Sequence, residues 1–348
     1  MFFNDFIFIS ILVSYSYIQN RFLLHFFNKN KLTVLSDSNF IKPQAFHEKP
    51  TYRLGGIAIF IPLLLTYLYF YIYKDIYEFE FISFCSLFFI LGLLDDSKIE
   101  IRPKFRLMIM ILFLLFLIIK NETYIEKTGF EFLDTLLEID IFALIFISLC
   151  FLFIINGSNL IDGFNGLLSI HSLIIFIVLF FINLTNESNN LIYILLYTSV
   201  IILVFIYFNF PNAKMFLGDS GAYLIGSFIA ISVINTSILN PNISPLFFCI
   251  LLFYLFFEVF FSFFRKLFFA KQSPLLPDNQ HLHMKIYKFL LKRKYSKLKA
   301  NYTTSIYINF IYLILITPGI IFLESNLFCR YYFLILLLAY IYFYKKIR

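Results

Sequence analysis

Two polar clusters of this chain contain residue types that bind divalent cations. The first is the pair Asp95-Asp96 at the end of an apolar run, and the second is segment 156–166, NGSNLIDGFNG, with three Asn, one Asp and three Gly. Adjacent carboxylates suit a hard cation such as Mg²⁺, or a base whose pKa is raised by its neighbour. Asn and Asp offer further oxygen ligands, and glycines let a ligand approach the backbone closely. The alternatives are a solvated acidic loop and a structural turn.

Two later clusters contain a single carboxylate and a histidine pair. Asp219 lies in segment 210–221, just before the next apolar run, where a carboxylate binds a cation or simply caps a helix. His281 and His283 begin a basic segment that extends to Lys299. Both imidazoles can donate to a phosphate if the segment is extended. An ordinary surface loop that contacts anionic lipid is the alternative, and no residues complete a zinc site.

A fifth cluster places two cations, Lys49 and Arg53, before Gly55-Gly56 and the next apolar run. It is interpreted either as a phosphate-binding segment or as a positively charged membrane anchor. Acids beside phosphate-binding cations are typical of metal-assisted phosphoryl transfer. The chain has neither a P-loop motif nor a Rossmann glycine motif, which excludes those two kinds of nucleotide site.

The segments between these clusters must position them, and their composition is that of a membrane protein. Apolar residues make up 61% of the 348, charged residues 14%, and Phe alone numbers 51. Soluble domains contain roughly 45–50% apolar residues, so a water-soluble fold is excluded. A disordered chain and a nucleic-acid-binding module are excluded as well, because topology explains the net charge of +7. The four cysteines are far apart and have neither metal nor redox spacing.

The predicted fold class is an all-α polytopic integral membrane protein with a single membrane-embedded domain over 1–348. A span needs about 20 mostly apolar residues, and lipid leaves no other way to pair the backbone of such runs. Eleven runs qualify, with ten as the alternative because three of the runs are short or have polar ends. The first run lacks the features of a signal peptide and is expected to be an uncleaved helix. The runs lie near 6–27, 54–73, 79–94, 105–120, 140–156, 167–183, 190–209, 221–237, 244–264, 304–323 and 328–344.

Lysine and arginine orient these spans, because cytoplasmic loops contain an excess of both residues. With the N-terminus outside and the C-terminus cytoplasmic, 24 of the 28 basic residues lie on the inner side. All five polar clusters then fall on cytoplasmic loops, which predicts that any chemistry takes place at that face. The loops lie near 29–53, 95–106, 156–166, 209–220 and 265–303.

At these clusters the chain resembles the polyprenyl-phosphate N-acetylhexosamine-1-phosphate transferases of glycosyltransferase family 4, the WecA/TagO/MraY-like group. The motifs that match run from Arg53-Leu54-Gly55-Gly56 to His281-Leu282-His283, in the same order and spacing. Eleven helices and the His-x-His form resemble the WecA-like sugar-phosphate initiators, whereas the peptidoglycan-precursor branch has ten helices. The chain departs from the common pattern at three positions, which are Asn165, Glu258 and Met284.

The resemblance implies transfer of an N-acetylhexosamine 1-phosphate from a UDP-sugar to a polyprenyl phosphate such as undecaprenyl phosphate. The products would be UMP and a lipid-linked diphosphate sugar that starts a cell-envelope polysaccharide. By resemblance, Asn159 and Asp219 hold Mg²⁺, with Mn²⁺ as the alternative metal. The catalytic residues it implies are Asp95, Asp96 and Asp162, and the residues that would neutralise the substrate phosphates are Lys49, Arg53, Lys104, Arg265, His281 and His283.

The partners implied are UDP-N-acetylhexosamine, polyprenyl phosphate and the lipid of a bacterial cytoplasmic membrane, without nucleic acid; a homodimer is left open. One alternative within the family is a phospho-N-acetylmuramoyl-pentapeptide transferase. A second alternative is a proton-coupled secondary transporter that uses the intramembrane acid Glu258, although transporters usually place polar residues near the midplane. A third is a noncatalytic scaffold for polysaccharide synthesis.

Overall fold

Helices account for most of the fold, as the apolar runs predict. The computed structural model describes residues 2–30, 32–37, 50–99, 101–125, 127–184, 190–269, 271, 273 and 278–347. Each of the eleven predicted runs is helical over most of its length, because only a helix pairs the backbone within such a segment. The helices are α1 (Phe2–Lys29), α2 (Gly55–Tyr73), α3 (Phe79–Asp96), α4 (Pro103–Asn121), α5 (Glu131–Leu137), α6 (Asp140–Ile161), α7 (Leu167–Asn183), α8 (Leu191–Asn209), α9 (Gly218–Leu239), α10 (Pro245–Leu251), α11 (Phe253–Phe264), α12 (Leu282–Lys292), α13 (Lys297–Ile321) and α14 (Asn326–Lys346).

Within the described part of the chain, seven helices are long and apolar enough to cross a membrane by themselves. They are α1, α2, α6, α8, α9, α13 and α14, and the pair α10–α11 raises the number to eight if it forms one broken span. The chain is therefore a multi-pass helical membrane protein. The count of eleven spans and their orientation stay predictions from the sequence.

The ninth predicted span, 244–264, is not one continuous helix. α10 and α11 meet at Leu252 with a bend of 77°. The bend lets the Leu251 carbonyl accept a hydrogen bond from the Tyr312 hydroxyl of α13, so a side chain pairs this backbone group at the break. A π-helical turn over Arg265–Phe269 then continues α11.

Helix α9 forms the centre of the bundle and packs against α2, α3, α6 and α7. Glycine in α3 permits this packing, because a Cβ at Gly92 would lie only 2.5 Å from the Asp219 carbonyl oxygen. Real Cβ atoms do not approach a backbone oxygen that closely, so any larger residue would force the two helices apart. The end of α3 and the first turn of α9 are thereby held in contact.

A three-stranded sheet of very short strands joins two of the polar loops. Its order is β1 (Ser36–Asp37), β2 (Thr51–Arg53) and β3 (Met215–Phe216), with β1 antiparallel and β3 parallel to β2. Arg53 pairs with Phe216, three residues before Asp219. The sheet therefore fixes the register of the Arg53 segment against the segment that leads into α9.

We expect the loop before α9 to be cytoplasmic and the turn before α14 to be external. Asn212 and Glu324 are exposed in these two places. In a variant without native cysteines, Asn212→Cys should react with a membrane-impermeant maleimide only after the cells are opened, whereas Glu324→Cys should react in intact cells. Because the asymmetry of basic residues sets this orientation, the reverse labelling pattern would invert the predicted topology.

Candidate active site

Asp219 lies in the first turn of α9 and points toward residues of α6 and β2. The Asn159 side-chain amide, in the last turn of α6, donates to Asp219 Oδ1 at 2.8 Å. The Arg53 guanidinium at the end of β2 lies 3.8 Å from Asp219 Oδ2. The Asp219 side chain remains 30% exposed. Three clusters that are far apart in sequence thus meet at one carboxylate that a ligand can reach.

Asp96, the last residue of α3, accepts hydrogen bonds from this turn of α9. Its carboxylate accepts hydrogen bonds from the backbone N–H groups of Asp219 at 3.0 Å and Ser220 at 2.9 Å, and from the Ser220 hydroxyl at 2.6 Å. The Asp96 side chain is fully buried, and Arg53 approaches it at 3.4 Å. A carboxylate at the first N–H groups of a helix satisfies donors that have no partner within the helix. Asp96 therefore positions Asp219.

Asp95 and Asp96 form hydrogen bonds to different helices. Asp95 accepts a hydrogen bond from Arg106 of α4 at 2.7 Å, and its side chain is only 8% exposed. Consecutive residues on a helix point about 100° apart, so two carboxylates in the last turn of α3 diverge. The two carboxylates thus engage different protein partners, and a joint role in binding a cation or acting as a base stays a prediction from the sequence.

The residues around Asp219 line a cleft of about 100 Å³. Three carboxylates and one guanidinium line it, those of Asp37, Asp162, Asp219 and Arg53, so the cleft carries excess negative charge. Burial, and then the carboxylate of Asp219, raise the pKa of Asp162 well above its usual range. The full lining is Asp37, Arg53, Asn159, Leu160, Asp162, Gly163, Phe164, Asn165, Asn209, Phe216, Leu217, Gly218, Asp219, Met284 and Asn301.

Asp37, which no sequence motif marks, is the nearest acidic partner of Arg53. The two side chains form an ion pair at 2.7 Å between β1 and β2. Burial by itself would lower the pKa of the Arg53 guanidinium, but the carboxylates of Asp219, Asp37 and Asp96 raise it above its ordinary value. Arg53 therefore stays charged at the mouth of the cleft. No local motif marks Asp37, because the contact depends on pairing of two short strands.

Three asparagines fix the loop between α6 and α7, and two of them, Asn209 and Asn301, belong to none of the sequence motifs. The Asn165 N–H donates to Asn301 of α13 at 2.8 Å, and the Asn165 side-chain amide donates to the Pro211 carbonyl at 2.8 Å. The Asn209 side-chain oxygen accepts from the Gly166 N–H at 2.7 Å. These bonds tie the Asp162 loop to the loop before α9. Asn165 therefore has a structural role in this fold, and its side-chain amide serves as a hydrogen-bond donor.

Mg²⁺ fits the donors of this cleft if a substrate phosphate supplies further oxygens. Among the residues that the structure describes, no group of three or more His, Cys, Asp or Glu side chains is arranged to hold a metal. Mg²⁺ is commonly bound through one or two protein ligands together with substrate phosphates and water. Asp219 offers a carboxylate, and rotation of the neighbouring Asn159 amide would present its oxygen beside it.

Two predicted phosphate-binding cations do not line this cleft. Lys104 lies at the start of α4 and lines a second cleft with Ile101, Arg102, Phe105 and Met108. Arg265 forms an ion pair with Asp278 at 2.6 Å, with both side chains 14% exposed. Lys49 falls outside the described residues. Of the predicted cations, Arg53 is therefore the one that the described structure brings to Asp219.

The histidine segment is not extended beyond its first residue, because α12 begins at Leu282. His281 precedes the helix and is buried between two acids: Nδ1 lies 3.0 Å from Glu258 Oε1 and Nε2 lies 3.3 Å from Asp278 Oδ1. Both ring nitrogens thus face carboxylates within the protein. The direct donation to a phosphate expected from an extended histidine pair does not match this arrangement. Glu258, on which the transporter alternative depends, is engaged in the same network.

His283 is fully buried behind the wall of the cleft. Its Nδ1 lies 3.2 Å from the Tyr254 hydroxyl, and its ring packs edge-to-face on Phe164 with 5.7 Å between centroids. Burial is the main reason that the pKa of His283 falls to about 3, so the ring is neutral at physiological pH. Its neighbours Phe164 and Met284 line the cleft. His283 therefore shapes the cleft through packing.

Comparison with known proteins points to one family. Residues 79–237, which contain the Asp96, Asn159, Asp162 and Asp219 positions, match the model of glycosyl transferase family 4. The undecaprenyl-phosphate alpha-N-acetylglucosaminyl 1-phosphate transferase of Thermotoga maritima is 28% identical over 276 residues, which is 75% of this chain and 78% of the relative.

Two further relatives represent the same group of enzymes. A probable undecaprenyl-phosphate N-acetylglucosaminyl 1-phosphate transferase of Bacillus subtilis is 28% identical over 72% of this chain and 70% of its own length. A phospho-N-acetylmuramoyl-pentapeptide-transferase of Dictyoglomus thermophilum is 32% identical over 55% of this chain and 61% of its own length. The family model and these relatives agree with the resemblance seen at the polar clusters. Residues 79–237 therefore match glycosyl transferase family 4, and the chain is similar to undecaprenyl-phosphate N-acetylglucosaminyl 1-phosphate transferases.

Proposed function

We propose that this protein transfers an N-acetylhexosamine 1-phosphate from a UDP-sugar to polyprenyl phosphate in a bacterial cytoplasmic membrane. The products are UMP and a lipid-linked diphosphate sugar that starts an envelope polysaccharide. The observation that supports this most directly is the meeting of Asp219, Asn159 and Arg53 in one acidic cleft at the ends of apolar helices. The names of the Thermotoga and Bacillus relatives support undecaprenyl phosphate as the acceptor.

Charge explains the roles of the residues in the cleft. A diphosphate would be repelled by the carboxylates of Asp37 and Asp219, so its binding calls for a cation in addition to Arg53. Asp219 and Asn159 would hold Mg²⁺, which, when bound, offsets the charge on the transferred phosphoryl group. Arg53, fixed by Asp37, donates to a phosphate oxygen in a set direction because the ion pair limits its rotation.

The acceptor needs little help from a base. A phosphate monoester has a second pKa of about 6 and is largely ionised at neutral pH. The role of the acids near the cleft is therefore to bind and orient, with Asp162 beside the donor and Asp96 behind Asp219. Attack of a phosphate oxygen of the lipid on the β-phosphorus of the UDP-sugar forms the new diphosphate bond and releases UMP.

The decisive experiment measures UMP release by the purified full-length protein in lipid nanodiscs. We expect release from a UDP-N-acetylhexosamine only when undecaprenyl phosphate and Mg²⁺ are both present, with a stoichiometric lipid-linked product. A panel of donors that includes the UDP-N-acetylmuramoyl-pentapeptide separates the two branches of the family. Turnover with that donor alone would assign the protein to the peptidoglycan branch, and no UMP from any donor would contradict the proposal.

A further inference from the structure

A buried carboxylate links the last helix to the histidine segment. Glu258 of α11 is 1% exposed. Its Oε1 accepts hydrogen bonds from His281 Nδ1 at 3.0 Å and from the Leu282 N–H at 3.1 Å. Its Oε2 accepts a hydrogen bond from the Tyr340 hydroxyl of α14. Both oxygens of this acid are thus occupied, one by the histidine segment and the other by α14.

A second tyrosine of α14 holds the same segment one helical turn farther on. The Tyr344 hydroxyl donates to the Gln280 carbonyl at 2.8 Å. In return, the Lys285 ammonium donates to the Tyr344 carbonyl at 2.7 Å and lies 3.9 Å from the centroid of its ring. Residues four apart face the same side of a helix. α14 therefore contacts the chain just before His281, at His281 through Glu258, and again in the first turn of α12.

The segment held in this way forms part of the wall of the cleft. Met284 lines the cleft, and Phe164, which lines it too, packs on the rings of His283 at 5.7 Å and Tyr287 at 5.3 Å between centroids. Each of these residues but Phe164 lies within six positions of His281. Movement of His281 or of the start of α12 would therefore move the wall that faces Asp219.

We propose that α14 is a positioning element of the active site and that Tyr340 acts on His281 through Glu258. This inference rests on the proposed transfer reaction. A buried carboxylate oxygen that loses its donor must recruit another one or rotate toward one. The Tyr340 hydroxyl satisfies Oε2, and this keeps Oε1 directed at His281 and the Leu282 N–H. α14 itself lies outside the cleft, so its effect on the reaction is indirect.

Reaction of histidines with diethyl pyrocarbonate tests the positioning without any substrate. Tyr340→Phe removes one hydroxyl and keeps the ring packed on Phe257 and Phe261. In the intact protein in nanodiscs, mass spectrometry should show protection of His281 in the wild type and several-fold faster modification in Tyr340→Phe. Buried His171, which bonds Asn309, should stay protected in both proteins.

Turnover tests the link to the reaction. We expect Tyr340→Phe to lower kcat about tenfold, the size expected for a hydrogen bond to a charged group. The matched control is Tyr342→Phe on the exposed side of α14, which should leave kcat unchanged. In a Glu258→Gln background, Tyr340→Phe should have no further effect, whereas independent structural damage would multiply.

The two readouts separate failure of this inference from failure of the proposed function. Unchanged labelling of His281 in Tyr340→Phe would overturn the positioning role, as would normal kcat despite faster labelling. If His171 also becomes reactive in Tyr340→Phe, the substitution has disturbed the fold. The variant Glu258→Asp, which withdraws the carboxylate by one methylene, is then tested in its place, with the same two measurements of His281 labelling and kcat. A third outcome is faster labelling of His281 in Tyr340→Phe while the wild type releases no UMP. That outcome would refute the transfer reaction, and with it the role of α14 in that reaction.

Discussion

Asp219→Asn is expected to lower the rate of UMP release at least about a hundredfold, or ~2.7 kcal/mol of transition-state stabilisation. The carboxylate reaches the cleft with 30% of its side chain exposed, between the Asn159 amide and Arg53. Asn has the same shape but no charge, so it cannot offset the charge of a bound cation. The backbone N–H of residue 219 still donates to Asp96, so the fold should be preserved.

The measurement is the initial rate of UMP release against Mg²⁺ concentration at matched protein levels. The control is Asp140→Asn, the same substitution in the first turn of α6, where the carboxylate is exposed at the other end of the helix from Asn159. We expect normal turnover in the control. If Asp219→Asn retained the rate and the Mg²⁺ dependence of the wild type, Asp219 would have only a structural role at the start of α9.

The sequence predicts the helices of this protein well and its short elements poorly. Each of the eleven apolar runs is helical, because the need to pair the backbone in lipid is local to the run. The break at Leu252 and the three short strands depend on contacts with distant segments, such as the Tyr312 hydroxyl and the Arg53–Phe216 pairing. Hydrophobic periodicity depends only on neighbouring residues in the sequence, so it could not predict features that depend on such contacts.

The candidate site shows the same division between local and distant information. The polar clusters, together with the family resemblance, identified Asp219, Asn159, Asp162 and Arg53, and the structure brings these four to one cleft. The divergence of Asp95 and Asp96 follows from the helical period once α3 is known to include both residues. The partnerships of Asp37 with Arg53 and of Glu258 with His281 join residues 16 and 23 positions apart on different elements. Only the folded arrangement identifies those pairs.

Asp96→Asn is expected to reduce both the stability and the activity of the protein. Three donors from the first turn of α9 converge on the buried Asp96 carboxylate, two from Ser220 and one from the Asp219 backbone. An Asn at this position would direct its own amide N–H groups toward at least one of these donors. An unsatisfied buried donor should lower the free energy of unfolding by about 1–3 kcal/mol. Displacement of Asp219 by even a small distance should lower UMP release about a hundredfold.

Thermal unfolding in nanodiscs and Mg²⁺ titration of UMP release separate positioning from direct catalysis by Asp96. Positioning predicts a lower Tm together with a higher Mg²⁺ requirement in Asp96→Asn, because the geometry of Asp219 is disturbed. Ser220→Ala removes one of the three hydrogen bonds and keeps the charge, so we expect the same two changes to be smaller. A base that acts directly on the acceptor predicts loss of turnover with the Tm and the Mg²⁺ requirement of the wild type. That second pattern would show that Asp96 takes part in proton transfer, and the hydrogen bonds to the first turn of α9 would then be secondary to its function.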